Sequence, residues 1–403
     1  VKKPAKILVA SATDWPFPAR LAGALIALDA KIETVCLRHS PLRQSGLSLG
    51  RHALSLLNPL NSLAHAITES GSELVIPCDD LMAEMLWLLG RTKPEFMPLI
   101  ERSCGNPDAF AVRSSRSDFL REAAAAGVAI ADTIALERAS DLDRSIARFG
   151  LPLVIKADGS WGGDGVVIAE NRATAETALT KFSRISRLRA IASAMKRRQP
   201  HLLLRAHFSI APGPSAQRFV VGRPATSSIV CWGGKLLAAN HFDVLVSNGT
   251  GPATVLEISH DPAMTEAAGR IAARFGLSGF YGLDYMRGQD GAALLLEINP
   301  RATPTAHLAL GPDHDLAAAL LTAAGHSVPD RPAVTRQSRI ALFPQEWRRD
   351  PHSPHLDTAF HDLPQADQPL ALALGWQVDA LTSFSSSFPG LSGLKKAGGE
   401  SGR

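Results

Sequence analysis

The segment Gly279–Arg301, GFYGLDYMRGQDGAALLLEINPR, constrains this chain more than any other. Two runs of apolar and aromatic residues flank Asp290-Gly291, a dipeptide that favours a two-residue type I′ turn. With that pair as the loop, Asp284 falls directly opposite Glu297, β-carbons about 4.5–5.5 Å apart, where like charges are destabilising. Asn299, two residues beyond Glu297, points to the same face. Two carboxylates and an amide oxygen on one patch of an otherwise apolar hairpin suit a hard divalent cation that keeps room for phosphate oxygens. The outer face of a sheet explains one isolated acid. It explains two opposed acids with Asn299, closed by Pro300-Arg301, much less well.

Upstream, Lys156 lies near the end of the apolar strand expected over Leu151–Ala157, and Gly159-Ser160-Trp161-Gly162-Gly163-Asp164-Gly165 follows. Glycines let backbone N–H groups approach an anion closely, and Lys156 adds a positive charge beside them. No GK[ST] and no helix follow, so this is not a P-loop. By itself a glycine-rich stretch usually only turns. With the acidic hairpin downstream it reads as a flap over phosphates.

The lysine-ended strand, the glycine flap, the long middle section and the terminal D…E-x-N-P-R hairpin together resemble the ATP-grasp superfamily of ATP-dependent ligases. That superfamily includes D-alanine–D-alanine ligase, biotin carboxylase and the carbamoyl-phosphate synthase large subunit. The resemblance covers roughly residues 5–328. It implies ATP and Mg²⁺ (or Mn²⁺) as cofactors, with Asp284, Glu297 and Asn299 holding the metal. It implies that Lys156 and the loop glycines Gly159, Gly162, Gly163 and Gly165 bind the ATP phosphates. Arg301 would stabilise the acyl phosphate or its tetrahedral successor. Gln217-Arg218-Phe219-Val220 resembles the interlobe segment whose backbone pairs with adenine, through the Arg218 carbonyl and the Val220 N–H.

Two departures stand out. Members of the superfamily usually carry a ribose-binding Glu after the adenine segment, where this chain has Arg223-Pro224-Ala225. They also carry an early lysine, for which the nearest candidates here are Arg113 and Arg116. Arg116 is taken as the nucleotide-binding residue; arginine keeps the charge and changes the geometry.

The expected fold class is α/β and α+β: an N-terminal parallel-sheet pre-ATP-grasp domain followed by a two-lobed ATP-grasp domain. The first part rests on a β-α-β opening, Lys6–Ser11, Ala19–Leu28 and Ile32–Leu37. Expected bounds are 1–105 for the first domain and 106–328 for the second, with a small lobe to about 220. Residues 329–381 form a C-terminal extension, and 382–403, rich in Ser and Gly, read as a disordered tail. Within the extension, Leu342–Trp347 is apolar enough to pack against the body.

Composition excludes several classes. The 42 basic and 38 acidic side chains leave +4, but residues 181–205 hold eight basic residues and no acid. The remainder is therefore net acidic, which argues against a nucleic-acid partner. A solvated helix face is the simpler reading of the basic run. No apolar run reaches the roughly 18 residues of a membrane span. The four cysteines form no CxxC pair or disulfide framework. A cytoplasmic protein is expected, acting on a small-molecule carboxylate and an amine or thiol acceptor, with a homodimer expected from base rates alone. His241, Asp243 and Lys235 lie where substrates would approach the γ-phosphate, although a structural role is at least as good a reading of each, and for His307 the two readings balance. Three alternatives stay open: a bicarbonate-activating carboxylase or carbamoyl-phosphate-type synthase, a non-catalytic nucleotide-binding module, and an RNA-binding protein using residues 181–205.

Overall fold

The computed structural model describes residues 4–47, 50–157, 165–183, 203–204, 213–249 and 251–374. Its first four strands, β1 (Lys6–Ser11), β2 (Lys31–Cys36), β3 (Gly50–Ala53) and β4 (Leu74–Pro77), form a parallel sheet in the order β3-β2-β1-β4. Ile7 and Val9 face one apolar core with Leu21 and Leu25; Leu8 and Ala10 face another with Leu63 and Ile67. A strand covered on both faces reads as a continuous apolar run, as KILVAS does. After β4, Asp79 caps the helix Asp80–Thr92 by accepting the Met82 N–H at 2.9 Å. Its second oxygen accepts the Ala12 N–H at 2.7 Å and the Ser11 hydroxyl at 3.0 Å. The loops after β1 and β4 are thereby tied together at the carboxyl ends of the strands, where such sheets gather ligands.

A second sheet joins β5 (Thr133–Ala135), β6 (Leu153–Lys156), β7 (Val166–Ala169) and β8 (Ser215–Arg218) in the order β5-β8-β6-β7, with every pair antiparallel. The third contains β9 (Gly222–Trp232), β10 (Lys235–Ser247), β11 (Ala253–Ser259), β12 (Gly279–Gly288), β13 (Ala293–Asn299), β14 (Arg339–Leu342) and β15 (Phe360–Asp362). Its order is β13-β12-β9-β10-β11-β14-β15. Helix Leu316–Ala323, LAAALLTA, is apolar nearly all round and is buried between this sheet and the N-terminal domain.

Several expectations need correction. Residues 339–342 and 360–362 complete the large-lobe sheet, so that lobe does not end at 328. These strands are only four and three residues long, too short to show a period of two. Likewise, helix Arg116–Ala125 belongs by packing to the large lobe rather than the small one, because Phe119, Leu120 and Ala123 share a core with Tyr281 and Leu295. The flap glycines Gly159, Gly162 and Gly163, nearly all of the basic run 181–205 and the tail 382–403 lie outside the described residues.

The hairpin turn also differs from expectation. The loop has three residues, Gln289, Asp290 and Gly291. Gly291 N–H donates to the Gly288 carbonyl at 3.0 Å, and Gly288 N–H donates to the Ala292 carbonyl at 2.9 Å. Gly291 has φ +81°, the left-handed conformation that a three-residue hairpin loop places last. That loop shifts the register by one from the expected pairing. A bulge at Leu296 shifts it back, so Asp284 and Glu297 are still direct partners.

Candidate active site

Three neighbouring strands build the floor of the site. Glu297 on β13, Asp284 on β12 and Thr226 on β9 stand in one cross-strand row. Thr226 Oγ1 donates to Asp284 Oδ1 at 2.7 Å, and Asn299 Nδ2 donates to Asp284 Oδ2 at 2.9 Å. Gly282 sits two residues before Asp284 on the same face; a β-carbon there would come within 2.3 Å of Thr303 Cγ2. Its missing side chain is what lets the loop after the hairpin close down beside the acids.

Cations reach this floor from two directions. Glu297 Oε2 accepts Arg116 Nε at 3.1 Å and Nη2 at 3.0 Å, and lies 3.6 Å from Lys156 Nζ. Burial would push the Glu297 carboxyl up, but Lys156 and Arg116 hold it at about 2. Among the described residues no cation is in ion-pair contact with Asp284: burial, and then Glu297 across the strand pair, push its carboxyl up, opposed by Thr226, Asn299 and Arg301. Burial also pushes the Lys156 amine down, opposed by Glu297. On the other flank, Arg301 Nη2 donates to Asn299 Oδ1 at 3.1 Å and Arg301 Nε to Asp80 Oδ2 at 2.9 Å. Asn299 therefore links Asp284 to Arg301, with its oxygen turned to the guanidinium.

These groups line one cleft of 1390 Å³ between the two lobes and the N-terminal domain, larger than the roughly 300–1,000 Å³ typical of a single small-molecule pocket. Val154, Val166 and Ile168 of the small lobe and Met286, Leu296 and Ile298 of the large lobe supply apolar walls, with Phe219 and Val220 between them. Gln217 also lines the cleft, its Nε2 donating to Thr133 Oγ1 at 3.0 Å and to the Leu296 carbonyl at 3.2 Å. The Arg218 N–H is taken by the Asp132 carbonyl. Pro224 and Ala225 line the cleft where a ribose-binding acid was sought, and Ser247 and Asn248 are polar groups lining it from the strand β10 and its end. Gly165 closes the base of the glycine loop, its carbonyl accepting the Ala157 N–H at 2.8 Å.

The other candidates are not paired with Asp284 or Glu297. Thr226 pairs with Phe242, so residues 241 and 243 project to the opposite face of the sheet. His241 is buried there between Ser227 Oγ (2.7 Å) and Thr265 Oγ1 (2.8 Å), while Asp243 pairs with Arg287. Lys235 is exposed at the β9–β10 turn. His307 Nε2 meets Asp362 Oδ1 at 2.9 Å, in a buried group with Arg20. Arg113 donates to Tyr281 Oη at 2.9 Å and to the Cys104 carbonyl. Of the two arginines considered for the missing lysine, only Arg116 reaches the acids. Sequence reasoning missed Thr226 and Asp80 as site residues. Asp80 carried one signal, its place at the carboxyl end of a parallel strand.

A metal's fit can be judged from the donor set. Among the described residues no group of three or more His, Cys, Asp or Glu could hold an ion unaided. Asp284 and Glu297 offer two carboxylates, so an ion here would complete its shell with phosphate and water, as Mg²⁺ does. Both carboxylates line the cleft from adjacent strands, and the residues fit the ion.

Known proteins resemble this chain in fold. The family model described as "ATP-grasp in the biosynthetic pathway with Ter operon" matches residues 229–345. No curated protein matches the chain in sequence. Among solved structures, carboxyaminoimidazole ribonucleotide synthase from Aspergillus clavatus, complexed with ATP, is similar with a TM-score of 0.57 and 14 % identity. That match covers 82 % of this chain and 78 % of the other. The biotin carboxylase domain of Hydrogenobacter thermophilus 2-oxoglutarate carboxylase, with MgADP, ADP and bicarbonate, gives 0.59 at 13 % identity, covering 81 % and 71 %. L-amino acid ligase from Bacillus licheniformis gives 0.53 at 12 % identity, covering 79 % and 75 %. The chain has the ATP-grasp fold, with an N-terminal parallel sheet and a large mixed sheet. No helix among the described residues is long and apolar enough to cross a membrane.

Proposed function

We propose that this protein is an ATP-dependent, ADP-forming ligase that activates a substrate carboxylate as an acyl phosphate and transfers the acyl group to an amine, or less readily a thiol. The observation that carries this reading is the direct pairing of Asp284 with Glu297 on the floor of an interlobe cleft, flanked by Lys156, Arg116 and Arg301. The ATP-grasp fold and the matching family model support it.

In the proposed reaction a carboxylate oxygen attacks the γ-phosphorus, the bond to the β–γ bridging oxygen breaks, and ADP leaves with the electron pair. The acceptor nitrogen then attacks the acyl carbon and loses its proton, and inorganic phosphate departs. Such chemistry asks for alignment and charge neutralisation more than covalent help. Lys156 and Arg116, now on Glu297, would turn to phosphate oxygens. Arg301 would meet the charge that develops at the acyl centre. Mg²⁺ or Mn²⁺, bound by Asp284 and Glu297, would neutralise charge on the triphosphate and orient it. The glycine-rich sequence 159–165 is the stretch whose composition suits close backbone approach to the phosphates.

A bicarbonate-activating reaction is the second reading, favoured by the likeness to a biotin carboxylase domain solved with bicarbonate. ADP release from MgATP, measured with the proteinogenic amino acids in pairs and with or without bicarbonate, separates the two. Dependence on an organic acid and an acceptor supports the ligase, and the rate should fall by about 100-fold or more in Glu297→Ala. ADP release that needs only bicarbonate supports the carboxylase. Glu297→Ala turning over at the wild-type rate would rule out both.

A further inference from the structure

Arg301 is a large-lobe residue, yet its guanidinium is held by the N-terminal domain. Its Nε donates to Asp80 Oδ2 at 2.9 Å, and its Cζ lies 4.9 Å from the centre of the Trp15 ring. Asp80 is the first residue of the helix after β4, and Trp15 belongs to the loop after β1. Both segments are locked to each other by the neighbouring Asp79, which caps that helix and accepts the Ala12 N–H and Ser11 hydroxyl. The remaining contacts of Arg301 are to Asn299 and the Ala302 carbonyl, within its own loop. Arg301 itself is buried, while Asp80 and Trp15 are partly exposed to the cleft that they line.

We infer that Asp80 and Trp15 are positioning residues: the N-terminal domain sets the orientation of Arg301 and so decides whether the site is competent. The inference rests on the proposed role of Arg301 at the acyl centre. A guanidinium is planar and presents its donors in a fixed fork, so taking Nε with a carboxylate and one face with an indole leaves its rotation fixed. Without Asp80 and Trp15 the same side chain has, among the described residues, Asn299 and a backbone carbonyl to orient it. A misplacement of about 1 Å at such a group can cost about 100-fold in rate. The adjacent acids divide the work. Asp79 holds the two loops, and Asp80 holds the arginine that those loops face.

The test uses the full chain with Asp80→Asn, Asp80→Ala, Trp15→Leu, Arg301→Lys and the double variant Asp80→Ala/Arg301→Lys. The first readout is the Arg301 Nε–H signal in ¹⁵N–¹H spectra, assigned by its loss in Arg301→Lys. It should be protected from exchange in the wild type and in Asp80→Asn, which keeps an acceptor, and lost in Asp80→Ala. The second is MgATP affinity by calorimetry, which should stay within about twofold throughout if the effect is confined to orientation. The third is ADP formation with the amino-acid panel. We expect a fall of about 30- to 100-fold in Asp80→Ala, a smaller fall in Asp80→Asn and Trp15→Leu, and no further fall in the double variant beyond Arg301→Lys, since residues acting as a unit are non-additive. An unprotected Nε–H in the wild type, additive losses in the double variant, or equal losses of MgATP affinity and rate would each overturn the inference. A wild-type protein that binds MgATP and makes no ADP with any pair would overturn the ligase reading, while the first readout still decides the Asp80–Arg301 contact.

Discussion

Asp284 and Glu297 face each other across β12 and β13 and occupy opposite electrostatic regimes. Glu297 shares Lys156 and Arg116 and is held near pKa 2; Asp284, buried beside it, is pushed upward. Glu297 is thus paired with two cations, whereas Asp284 accepts hydrogen bonds from Thr226 and Asn299.

Asp284→Asn should separate stability from binding. Removing the like-charge contact makes the nucleotide-free variant as stable as the wild type or more so in thermal unfolding near pH 7. With MgADP at 100 times its wild-type dissociation constant, the wild type gains about 2.7 kcal/mol. Asp284→Asn should lose most of that gain, seen as a smaller shift in Tm.

Glu297 should also leave a mark on the acid limb of the stability profile. Its folded pKa is depressed from 4.5 to about 2, so its contribution is fully present above pH 4.5 and disappears as pH falls toward 2. The difference in unfolding free energy between wild type and Glu297→Gln should therefore shrink through that window. A constant difference from pH 5 to pH 2.5 would contradict the ion pairing with Lys156 and Arg116.

His241 predicts a second pH effect, away from the cleft. Burial pushes its imidazole down to about 4, the nearby Asp261 opposing. A histidine whose folded pKa lies below its unfolded value of 6.5 costs stability as pH falls from 6.5 toward 4. His241→Gln, able to bond Ser227 or Thr265 without titrating, should flatten that loss and leave MgATP affinity unchanged. Urea unfolding at pH 7.5 and 5.0, with calorimetry, measures both.

Asp362→Ala should show how firmly the last strand is tied in. Asp362 is buried and receives Arg20 at 2.7 Å and His307 at 2.9 Å. Removing one partner of such a group leaves charge and donors unpaired, at about 3–5 kcal/mol. A loss under 1 kcal/mol in urea unfolding would show that this contact is not a principal tie between the C-terminal strands and the N-terminal domain.

The sequence by itself determined the parts of this protein that obey short-range rules. Period-two alternation placed Asp284, Glu297 and Asn299 on one face, and the apolar run before Lys156 gave a strand at the right place. Even there the agreement was partly owed to cancellation, because the three-residue loop and the bulge at Leu296 offset each other. Only the tertiary structure decided which cation meets which acid. Arg116 reaches Glu297 from 181 residues away and Asp80 meets Arg301 across 221, whereas Arg113, three positions from Arg116, turns into the core against Tyr281. The same holds for β14 and β15, whose few residues join the large sheet only because β11 offers β14 an open edge and β14 in turn offers one to β15. Local periodicity sets which face a side chain takes on its own element. Which elements meet is set by burying apolar surface over the whole chain, and that information is spread over residues no short motif contains.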